Sequence, residues 1–472
     1  MHAESHRTLP AQSRRSRLTG SWRGEGGYRA LLHVAGPLIL STASNSIQNF
    51  VDRMFVSWYS SDSIAAALPA GLLSWTVMSL FVGIASYVTT FVAQYHGARR
   101  PEMIGSVVWQ GAYIAVIGAL VGLLLVPAAR PIFSAIGHAP AVRELEISYF
   151  RILCYGTLFA VGASAFSGFF AGRGRVWPVM WVNVAVTVVH CALNYALVFG
   201  EAGLPELGLA GAGFASVASQ AFGCLLFVAM FLSPRSHRAF GTRSGFRLDR
   251  ELFGRLLRFG VPSGIHIFVD VAAFSAFIMI VGRIGTPELA ATNIAFNINN
   301  LAFMPVIGVG TAVAVLVGQH LGEERPDVAQ TAAWNGLRLG SAYMLFTGAF
   351  YVGLPWLFTD LFAPRVDPGS YAAVGKAAIV LLRFVALYSI FDSINIVFGS
   401  ALKGAGDTRF VMGYLAVMAG FGLVLPSVLV IGVLHGGLIS AWLVVTVYII
   451  ALAVGFLLRF LGGRWKKMRV IA

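Results

Sequence analysis

The sequence predicts an all-α polytopic membrane protein with twelve transmembrane helices in two pseudo-twofold-related six-helix lobes. The first observation is composition: 57% of the 472 residues are hydrophobic and 11% are Asp, Glu, Lys or Arg. An ordinary soluble domain carries roughly 25% charged residues, so that class is excluded. The second observation is that apolar stretches reach the ~20 residues needed to cross ~30 Å of hydrocarbon as a helix. The third is an internal repeat that relates the two halves.

Breaks at charged, Gly-rich and Pro-rich positions divide the chain into twelve apolar segments. They cover residues 30–58, 64–95, 104–128, 143–171, 176–199, 208–232, 253–284, 289–320, 329–358, 370–402, 409–432 and 437–462. Several exceed the length of a straight crossing, so we expect tilt, kinks or extension past the headgroups. Proline removes a backbone donor from a helix and bends it. The candidate kink positions are Pro37, Pro262, Pro305 and Pro426.

Lys and Arg are distributed unevenly between the two sets of alternating loops. The set that includes both termini holds 25 of them and the other set holds five. Because basic residues stay on the cytoplasmic side, we expect both termini in the cytoplasm and the spans in a bacterial inner (plasma) membrane. The net charge of +14 is then explained by topology and by contact with anionic lipid. It gives no reason to expect a nucleic-acid partner.

Ten residues of the first two spans and the start of the third recur 225 positions later without a gap. The pairs are Pro37/Pro262, Met54/Met279, Val56/Val281, Ala65/Ala290, Ala66/Ala291, Gly83/Gly308, Gln94/Gln319, Gly97/Gly322, Arg100/Arg325 and Pro101/Pro326. A weaker match, 232 positions apart, relates Gly172 to Gly404. With six spans in each half, both copies enter the membrane from the same side. The pseudo-twofold axis then runs along the membrane normal, which is an architecture of secondary transporters.

The longest polar run inside the chain, residues 233–258, separates six spans from six and contains seven arginines. This run predicts a linker between two lobes. We expect a basic cytoplasmic N-terminal tail (1–29), an N-lobe (30–232), a basic cytoplasmic linker (233–252), a C-lobe (253–462) and a basic cytoplasmic C-terminal tail (463–472).

Polar residues follow one face of the first span, at positions i, i+4, i+7, i+8 and i+11. They are Ser41, Asn45, Gln48, Asn49 and Asp52. The fifth span carries a similar stripe, made of Asn183, Thr187, His190 and Asn194. A single polar residue in a membrane helix usually bonds a neighbouring helix. Stripes this polar instead predict a water-filled cavity or a fully bonded network between the two spans.

Three further stripes lie in the second half of the chain. They are His266 with Asp270 in the seventh span, Asn293, Asn297 and Asn300 in the eighth, and Tyr388, Asp392 and Asn395 in the tenth. They predict a second cavity. We also expect Phe296 and Met304 of the eighth span to line a cleft between the halves, because aromatic and Met side chains form a tolerant apolar wall for an organic cation.

Three acidic residues lie within apolar spans, namely Asp52, Asp270 and Asp392. A charge at the bilayer centre costs ~2.5–3.5 kcal/mol on insertion scales, so such a residue indicates function by default. Neither Asp270 nor Asp392 has a Lys or Arg one helical turn away, so each can hold a proton or take Na⁺ as its counter-ion. The alternative is a structural Asp bonded to backbone or amide groups. His190 and His266 are either proton relays or neutral packing histidines.

Motifs of nucleotide and hydrolytic chemistry are absent from the sequence, including G-x-x-x-x-G-K-[ST], H-E-x-x-H and G-x-S-x-G. The segment 400–403 fits S-x-x-K, but without its companion motifs. The three cysteines, Cys154, Cys191 and Cys224, lie in apolar segments and have no metal-ligand spacing. We therefore predict that the protein is not an enzyme, needs no cofactor, and couples any transport to an ion gradient of Na⁺ or H⁺.

At these residues the chain resembles the multidrug and toxic compound extrusion (MATE) family. The similar stretches are 49–56, 62–66, 94–98, 205–212, 288–291, 318–322 and 402–408. Each is modest alone, but together, in this order and with twelve spans and a repeat, they cover about 30–462. The resemblance implies two lobes that open alternately and export small-molecule organic cations in exchange for Na⁺ or H⁺.

In the N-lobe, the resemblance implies that Asp52 takes part in ion coupling and substrate release, together with Asn49 and Asn194. His190 stands where many members have Asn, and Arg53 stands where members usually have a small residue. Arg53 points about 100° away from Asp52 on a helix, so we do not expect it to be the direct partner of that carboxylate.

In the C-lobe, the resemblance implies a coupling site at Asp270, Tyr388 and Asp392. One branch of the family has Glu in place of Asp270 and holds Na⁺ at this site. The remaining residues that we expect along the cleft are Asn45, Asn183, His266, Asn293, Phe296, Asn297, Met304 and Asn395.

Two alternatives remain at this stage. One is a flippase for a lipid-linked saccharide on a related two-lobe architecture, which would more often carry fourteen spans and a cluster of basic residues in its cavity. The other is a membrane enzyme or a scaffold that transports nothing, for which the sequence offers no catalytic set. For the transporter that exports organic cations we expect a monomer.

Overall fold

The computed structural model describes residues 22, 24–362 and 368–471, so most of the N-terminal tail lies outside the described residues. The described part of the chain forms twelve spans. They cover Tyr28–Tyr59, Ser61–Gly97, Pro101–Ile136, Pro140–Ala171, Trp177–Phe199, Gly208–Phe231, Arg250–Val281, Thr286–Gly322, Pro326–Gly353, Pro368–Ala405, Thr408–Val433 and Leu438–Leu461. Eleven are long and apolar enough to cross a membrane individually. The ninth meets that criterion only together with Trp356–Phe362, which follow an 88° bend.

Local signals explain where two spans differ from the sequence prediction. The seventh span begins before residue 253 because Asp249 caps it: its Oδ1 atom accepts from the backbone N–H groups of Glu251 and Leu252, both at 3.0 Å. The third span continues past residue 128 to Ile136 although it contains two prolines. It ends where Gly137 adopts a left-handed conformation with φ 84°, which glycine accepts without strain.

The irregular positions of the helices are mostly not those expected. The helix continues without interruption through three of the four candidate kink positions, Pro37, Pro262 and Pro305. Around Pro426 the chain forms π-helical turns at Met418–Val424 and Leu429–Val433, wider turns that accommodate a residue without an N–H. The second span breaks at Tyr87 and the fourth at Gly156, which the sequence did not indicate.

The two halves share hydrophobic cores at one end of the molecule and have separate cores at the other. We call the end that carries residues 24–27 and 462–471 the terminal face. Near it, one core joins Phe227 to Leu256 and another joins Leu38 to Leu316, so each contains residues of both halves. Toward the opposite face, one core draws on the first six spans and another on the last six. The halves are therefore closed on each other at the terminal face, and a cleft separates them toward the other.

Backbones of the two halves approach closely at the terminal face because glycine allows it. A Cβ atom on Gly97 would collide with the carbonyl oxygen of Gln319. In the same way, a Cβ atom on Gly322 would collide with the carbonyl oxygen of Gln94. These four residues are two of the repeat-related pairs, so the repeat places the same close contact on both sides of the pseudo-twofold axis.

The repeat-related glutamines also form reciprocal hydrogen bonds between the halves. Gln94 donates from Nε2 to the carbonyl oxygen of Gly404 at 3.1 Å, and Gln319 donates from Nε2 to the carbonyl oxygen of Gly172 at 2.8 Å. The sequence indicated that Gly172 and Gly404 are equivalent, but not that the glutamines bond them across the axis. These two hydrogen bonds join the two halves at the terminal face in a nearly symmetric way.

The C-terminal segment makes that closure asymmetric. The backbone N–H of Val470 donates to Oε1 of Gln94 at 2.8 Å, so the Gln94 amide bonds two segments of the second half. Arg469 pairs with Glu324 at 2.9 Å in the loop before the ninth span. The segment thus lies across the end of the lobe interface, and Gln319 has no equivalent contact with it among the described hydrogen bonds.

Replacing Gln94 by Leu is expected to lower the midpoint of thermal unfolding in detergent more than replacing Gln319 by Leu. The first change removes two hydrogen bonds and the second removes one, each contributing about 0.5–1.5 kcal/mol. In protein that lacks residues 469–472 the two substitutions should have equal effects. Equal effects in the full chain would contradict the asymmetric role of the C-terminal segment.

Candidate functional site

Asp52 lies at the centre of a hydrogen-bonded cluster in the first half. Its Oδ1 atom is 2.9 Å from Nε2 of His190 and also accepts from Nδ2 of Asn194, both on the fifth span. His190 is 2% exposed and Asn194 is fully buried, whereas 22% of the Asp52 side chain is exposed. The cluster therefore joins a partly exposed carboxylate to two partners that are buried away from water.

The other ring nitrogen of His190 extends the cluster to the sixth span. Nδ1 lies 3.2 Å from Oγ of Ser219, and that hydroxyl is also 3.0 Å from the carbonyl oxygen of Ser216. The Ser219 oxygen donates to Nδ1 or accepts from Nδ1–H, according to which ring nitrogen carries the proton. A proton lies between Nε2 and Asp52 in either case, since two facing lone pairs at 2.9 Å would repel each other. The pair therefore shares one proton through a hydrogen bond.

A second bonded group continues from this cluster toward the terminal face. Gln48 donates from Nε2 to Oγ1 of Thr187 at 2.8 Å. The Thr187 hydroxyl in turn donates to the backbone carbonyl of Asn183 at 2.9 Å, and Asn183 is half-buried. The fifth-span stripe therefore meets the first span over most of its length.

The residues of the first-span stripe differ in their surroundings. Gln48 and Asp52 bond to the fifth span, whereas Asn45 and Asn49 are exposed. At 100° per residue, Asn49 lies about 60° around the helix from Asp52. That angle is enough to separate a lobe-facing edge of the helix from a cleft-facing edge.

An acidic pair occupies the second half. Asp392 is 5% exposed, and beside it the side chain of Asn395 and the like charge of Asp270 both act on its carboxyl group. Tyr388 is fully buried and its hydroxyl has no hydrogen-bond partner in the structure. Nδ1 of His266, one turn before Asp270, is also unpaired there. Acidic side chains and unsatisfied polar atoms on the seventh and tenth spans favour uptake of a proton or another cation there.

Lys403 is a residue of this site that the sequence analysis missed. It lies at the end of the tenth span, and its ammonium group interacts electrostatically with Asp270 and His266. Its carbonyl oxygen accepts from the Tyr87 hydroxyl of the first half at 2.8 Å. A signal was available, because Asp392 and Lys403 are eleven residues apart, about three helical turns, and so share a face.

The asparagines of the eighth span do not join the acidic pair, contrary to expectation. Asn293 and Asn297 are exposed toward the first half. Oδ1 of Asn297 accepts from Nη1 of Arg53 at 3.2 Å, and its Nδ2 donates to the carbonyl of Asn293 at 2.8 Å. Helical spacing showed that these residues share a face, but it could not show which neighbour that face meets.

The two apolar cleft candidates lie in different surroundings. Phe296 stacks on Trp442 with ring centroids 5.0 Å apart and contacts Phe274 at 5.9 Å, so it packs against the core of the second half while staying partly exposed. Met304 is half-buried, and its carbonyl oxygen accepts from the Thr42 hydroxyl of the first half at 3.2 Å. A place for either residue along the cleft stays a prediction.

Known proteins share this arrangement. A family model described as MatE matches residues 37–196 and 262–428, on both sides of the central linker. The chain belongs to the MatE family. It is 30% identical over 383 residues to the "Probable multidrug resistance protein NorM" of Pseudomonas syringae pv. tomato, covering 80% of this chain and 82% of that protein. The protein of the same name from Burkholderia pseudomallei is 30% identical over 393 residues, 82% of each chain.

Solved structures of MATE transporters have the same fold as this MatE protein. One, an outward-facing multidrug resistance MATE family transporter of the MOP superfamily, matches with a TM-score of 0.84 and 20% identity, over 95% of this chain and 98% of that one. The eukaryotic MATE transporter AtDTX14 matches with a TM-score of 0.83 and 20% identity, over 93% and 96%. The predicted all-α, two-lobe membrane fold is confirmed. The matched proteins are transporters and not enzymes.

Proposed function

We propose that this MatE protein is an efflux antiporter that exports amphipathic organic cations by alternating access, in exchange for H⁺ or Na⁺. The observation that carries the proposal is a cleft closed at the terminal face and flanked in each half by ionisable residues, with Asp52 on one side and Asp270 and Asp392 on the other. The name of the NorM relatives, multidrug resistance protein, supports the substrate class. A drug and an ion that favour opposite conformations of one cleft exchange for each other.

The distribution of basic residues supports a cytoplasmic terminal face in a bacterial inner membrane. The loops on that side hold 25 Lys and Arg residues against five on the other. In that orientation the cleft opens away from the cytoplasm. The proposal divides the chain into an N-lobe (30–232) and a C-lobe (253–462) joined by the linker 233–252. It describes a monomer whose basic loops contact anionic lipid.

The cluster around Asp52 suits a proton better than Na⁺. A hard cation such as Na⁺ needs oxygen ligands, as Ca²⁺ and Mg²⁺ do. The partners that reach Oδ1 of Asp52 are instead nitrogen atoms, from His190 and Asn194. When the shared proton leaves, a carboxylate remains that attracts a cationic drug from the cleft. When a proton returns, that attraction is lost and the drug is released.

The acidic pair of the C-lobe suits either H⁺ or Na⁺. Asp270, Asp392 and the unpaired hydroxyl of Tyr388 supply oxygen atoms for a cation. Lys403 competes with that cation for Asp270, because its ammonium group already interacts with the carboxylate. A cation bound at Asp270 would act on the same carboxylate as Lys403, which would link ion binding to the end of the tenth span.

Purified protein in liposomes tests the proposal. A pH gradient and a Na⁺ gradient are imposed separately, and movement of a fluorescent organic cation is followed against each. We expect movement with at least one gradient and none in empty liposomes. No movement with either gradient would contradict the proposed antiport.

Replacing His190 by Asn tests the proton site. The variant keeps a hydrogen-bonding amide but loses the basic nitrogen that shares a proton with Asp52. We therefore expect the pH profile of transport to shift to lower pH, because one of two proton acceptors is gone. His435→Asn is the control, since this exposed loop residue has φ 51°, which Asn tolerates. An unchanged pH profile in His190→Asn would show that His190 takes no part in proton coupling.

A further inference from the structure

Arg53 reaches across the cleft from the first span to the eighth. Its Nη1 atom donates to Oδ1 of Asn297 at 3.2 Å, and the side chain is exposed. The acceptor is held in place, because Nδ2 of Asn297 donates to the carbonyl of Asn293 at 2.8 Å. The guanidinium group is thus positioned at the opening of the cleft by a contact with the opposite half.

The positive charge of Arg53 is not neutralised by a carboxylate within ion-pair distance among the described residues. Asp52, its neighbour in sequence, points about 100° away and is bonded to His190 and Asn194 inside the lobe. A guanidinium has five N–H donors, and the structure gives Arg53 one acceptor. The remaining donors have no acceptor among the described residues.

Amide side chains lie near Arg53, and so does the partly exposed carboxylate of Asp52. Asn49 and Asn45 lie about one and two turns before it on the exposed edge of the first span, and Asn293 is exposed on the eighth. The carboxylate of Asp392 is 5% exposed and belongs to the interior of the second half. A charge in a cleft with apolar surroundings acts more strongly than one at an open surface. A substrate that enters therefore meets the guanidinium group of Arg53 and neutral amides as well as the Asp52 carboxylate.

We infer that Arg53 binds the carboxylate of substrates and that the preferred substrates are amphipathic zwitterions, which carry an organic cation and a carboxylate in one molecule. The inference rests on the proposed efflux function and narrows its substrate class. Guanidinium and carboxylate form a bidentate pair with two parallel N–H···O bonds, a geometry that an ester cannot match. The cationic end of the same molecule pairs with the Asp52 carboxylate of the N-lobe.

Two dyes that differ by one methyl group test the inference. Rhodamine 110 carries a free carboxylate, and rhodamine 123 is its methyl ester with the same cationic ring system. Binding to purified protein in detergent is measured by fluorescence polarisation at pH 7.5. The wild-type protein is expected to bind rhodamine 110 more tightly than rhodamine 123. Equal affinity, tighter binding of the ester, or no binding of rhodamine 110 would overturn the inference.

Arg53→Gln should weaken the binding of rhodamine 110 by about 10-fold, the loss of one charge-assisted bidentate contact, and leave rhodamine 123 unchanged or bound more tightly. Arg53→Lys keeps the positive charge but lacks the two parallel N–H donors of a guanidinium group, so it should give an intermediate affinity for rhodamine 110. Arg130→Gln, which removes an exposed arginine paired with Glu144 on the same face outside the cleft, should change neither affinity. Equal losses for both dyes in Arg53→Gln would show a general structural role and overturn the inference.

Because the dyes are compared without an ion gradient, this result is separate from the test of antiport. If the protein shows the expected dye preference but moves no cation in liposomes, the result supports the carboxylate site and contradicts the proposed function. If it transports cations but binds both dyes equally, the result supports the function and contradicts the carboxylate site. Thermal unfolding of each variant confirms that it is folded.

Discussion

Gly97→Val is expected to reduce gradient-driven transport by about 10-fold or more, the usual consequence of forcing atoms into a packed interface. A Cβ atom at this position would collide with the backbone carbonyl of Gln319 in the other half. A backbone atom cannot move aside as a flexible side chain can, so the two halves have to separate at the terminal face. Gly322→Val should behave in the same way, because its Cβ atom would collide with the carbonyl of Gln94.

The control is Gly254→Val, an exposed helical glycine near the same face with no atom within 4 Å of its Cβ position. A thiol at position 98, introduced as Ala98→Cys after Cys154, Cys191 and Cys224 have been replaced, reports whether the face is open. We expect faster maleimide labelling in Gly97→Val and an unchanged rate in Gly254→Val. Labelling and transport that both match the parent protein would show that the close contact is not required for closure.

The repeat predicted more of the structure than the polar stripes did. Residues that recur at a fixed offset have equivalent positions in the two halves, so Gln94 and Gln319 were paired correctly from sequence alone. Their bonds to Gly404 and Gly172 required the structure, because sequence equivalence does not show which lobe an amide faces. The fold could be predicted because apolar length and repetition are properties of the chain itself.

The polar stripes predicted which residues share a helix face, but for several of them not which residues they contact. Asp52, His190 and Asn194 were grouped from spacing, and the structure brings them within hydrogen-bond distance. The stacking of Phe296 on Trp442 was not predicted, because an aromatic residue next to polar ones has the same periodicity against a core as in a cleft wall. Lys403 was overlooked although it shares a helix face with Asp392, and its electrostatic interaction with Asp270 joins two different spans that spacing along one helix does not relate.

Asp392→Asn is expected to reduce antiport by about 5- to 150-fold, the usual range of coupling between two sites. The amide keeps the shape of the side chain but removes one of the two negative charges that make uptake of a cation favourable. Initial rates are measured with a pH gradient and with a Na⁺ gradient. If the C-lobe site takes Na⁺ while the Asp52 cluster takes H⁺, the Na⁺-driven rate should fall more than the H⁺-driven rate.

Asp360→Asn is the matched control, since Asp360 lies in an exposed turn after the ninth span, and its rates should equal those of the wild type. The double variant Asp52→Asn with Asp392→Asn separates two arrangements of the coupling. If each lobe binds its own ion, the double variant should lose both activities. If one ion serves both lobes in turn, either single variant should already abolish transport with both gradients. Unchanged rates in Asp392→Asn would exclude the C-lobe pair from coupling and leave Asp52 and His190 as the coupling site.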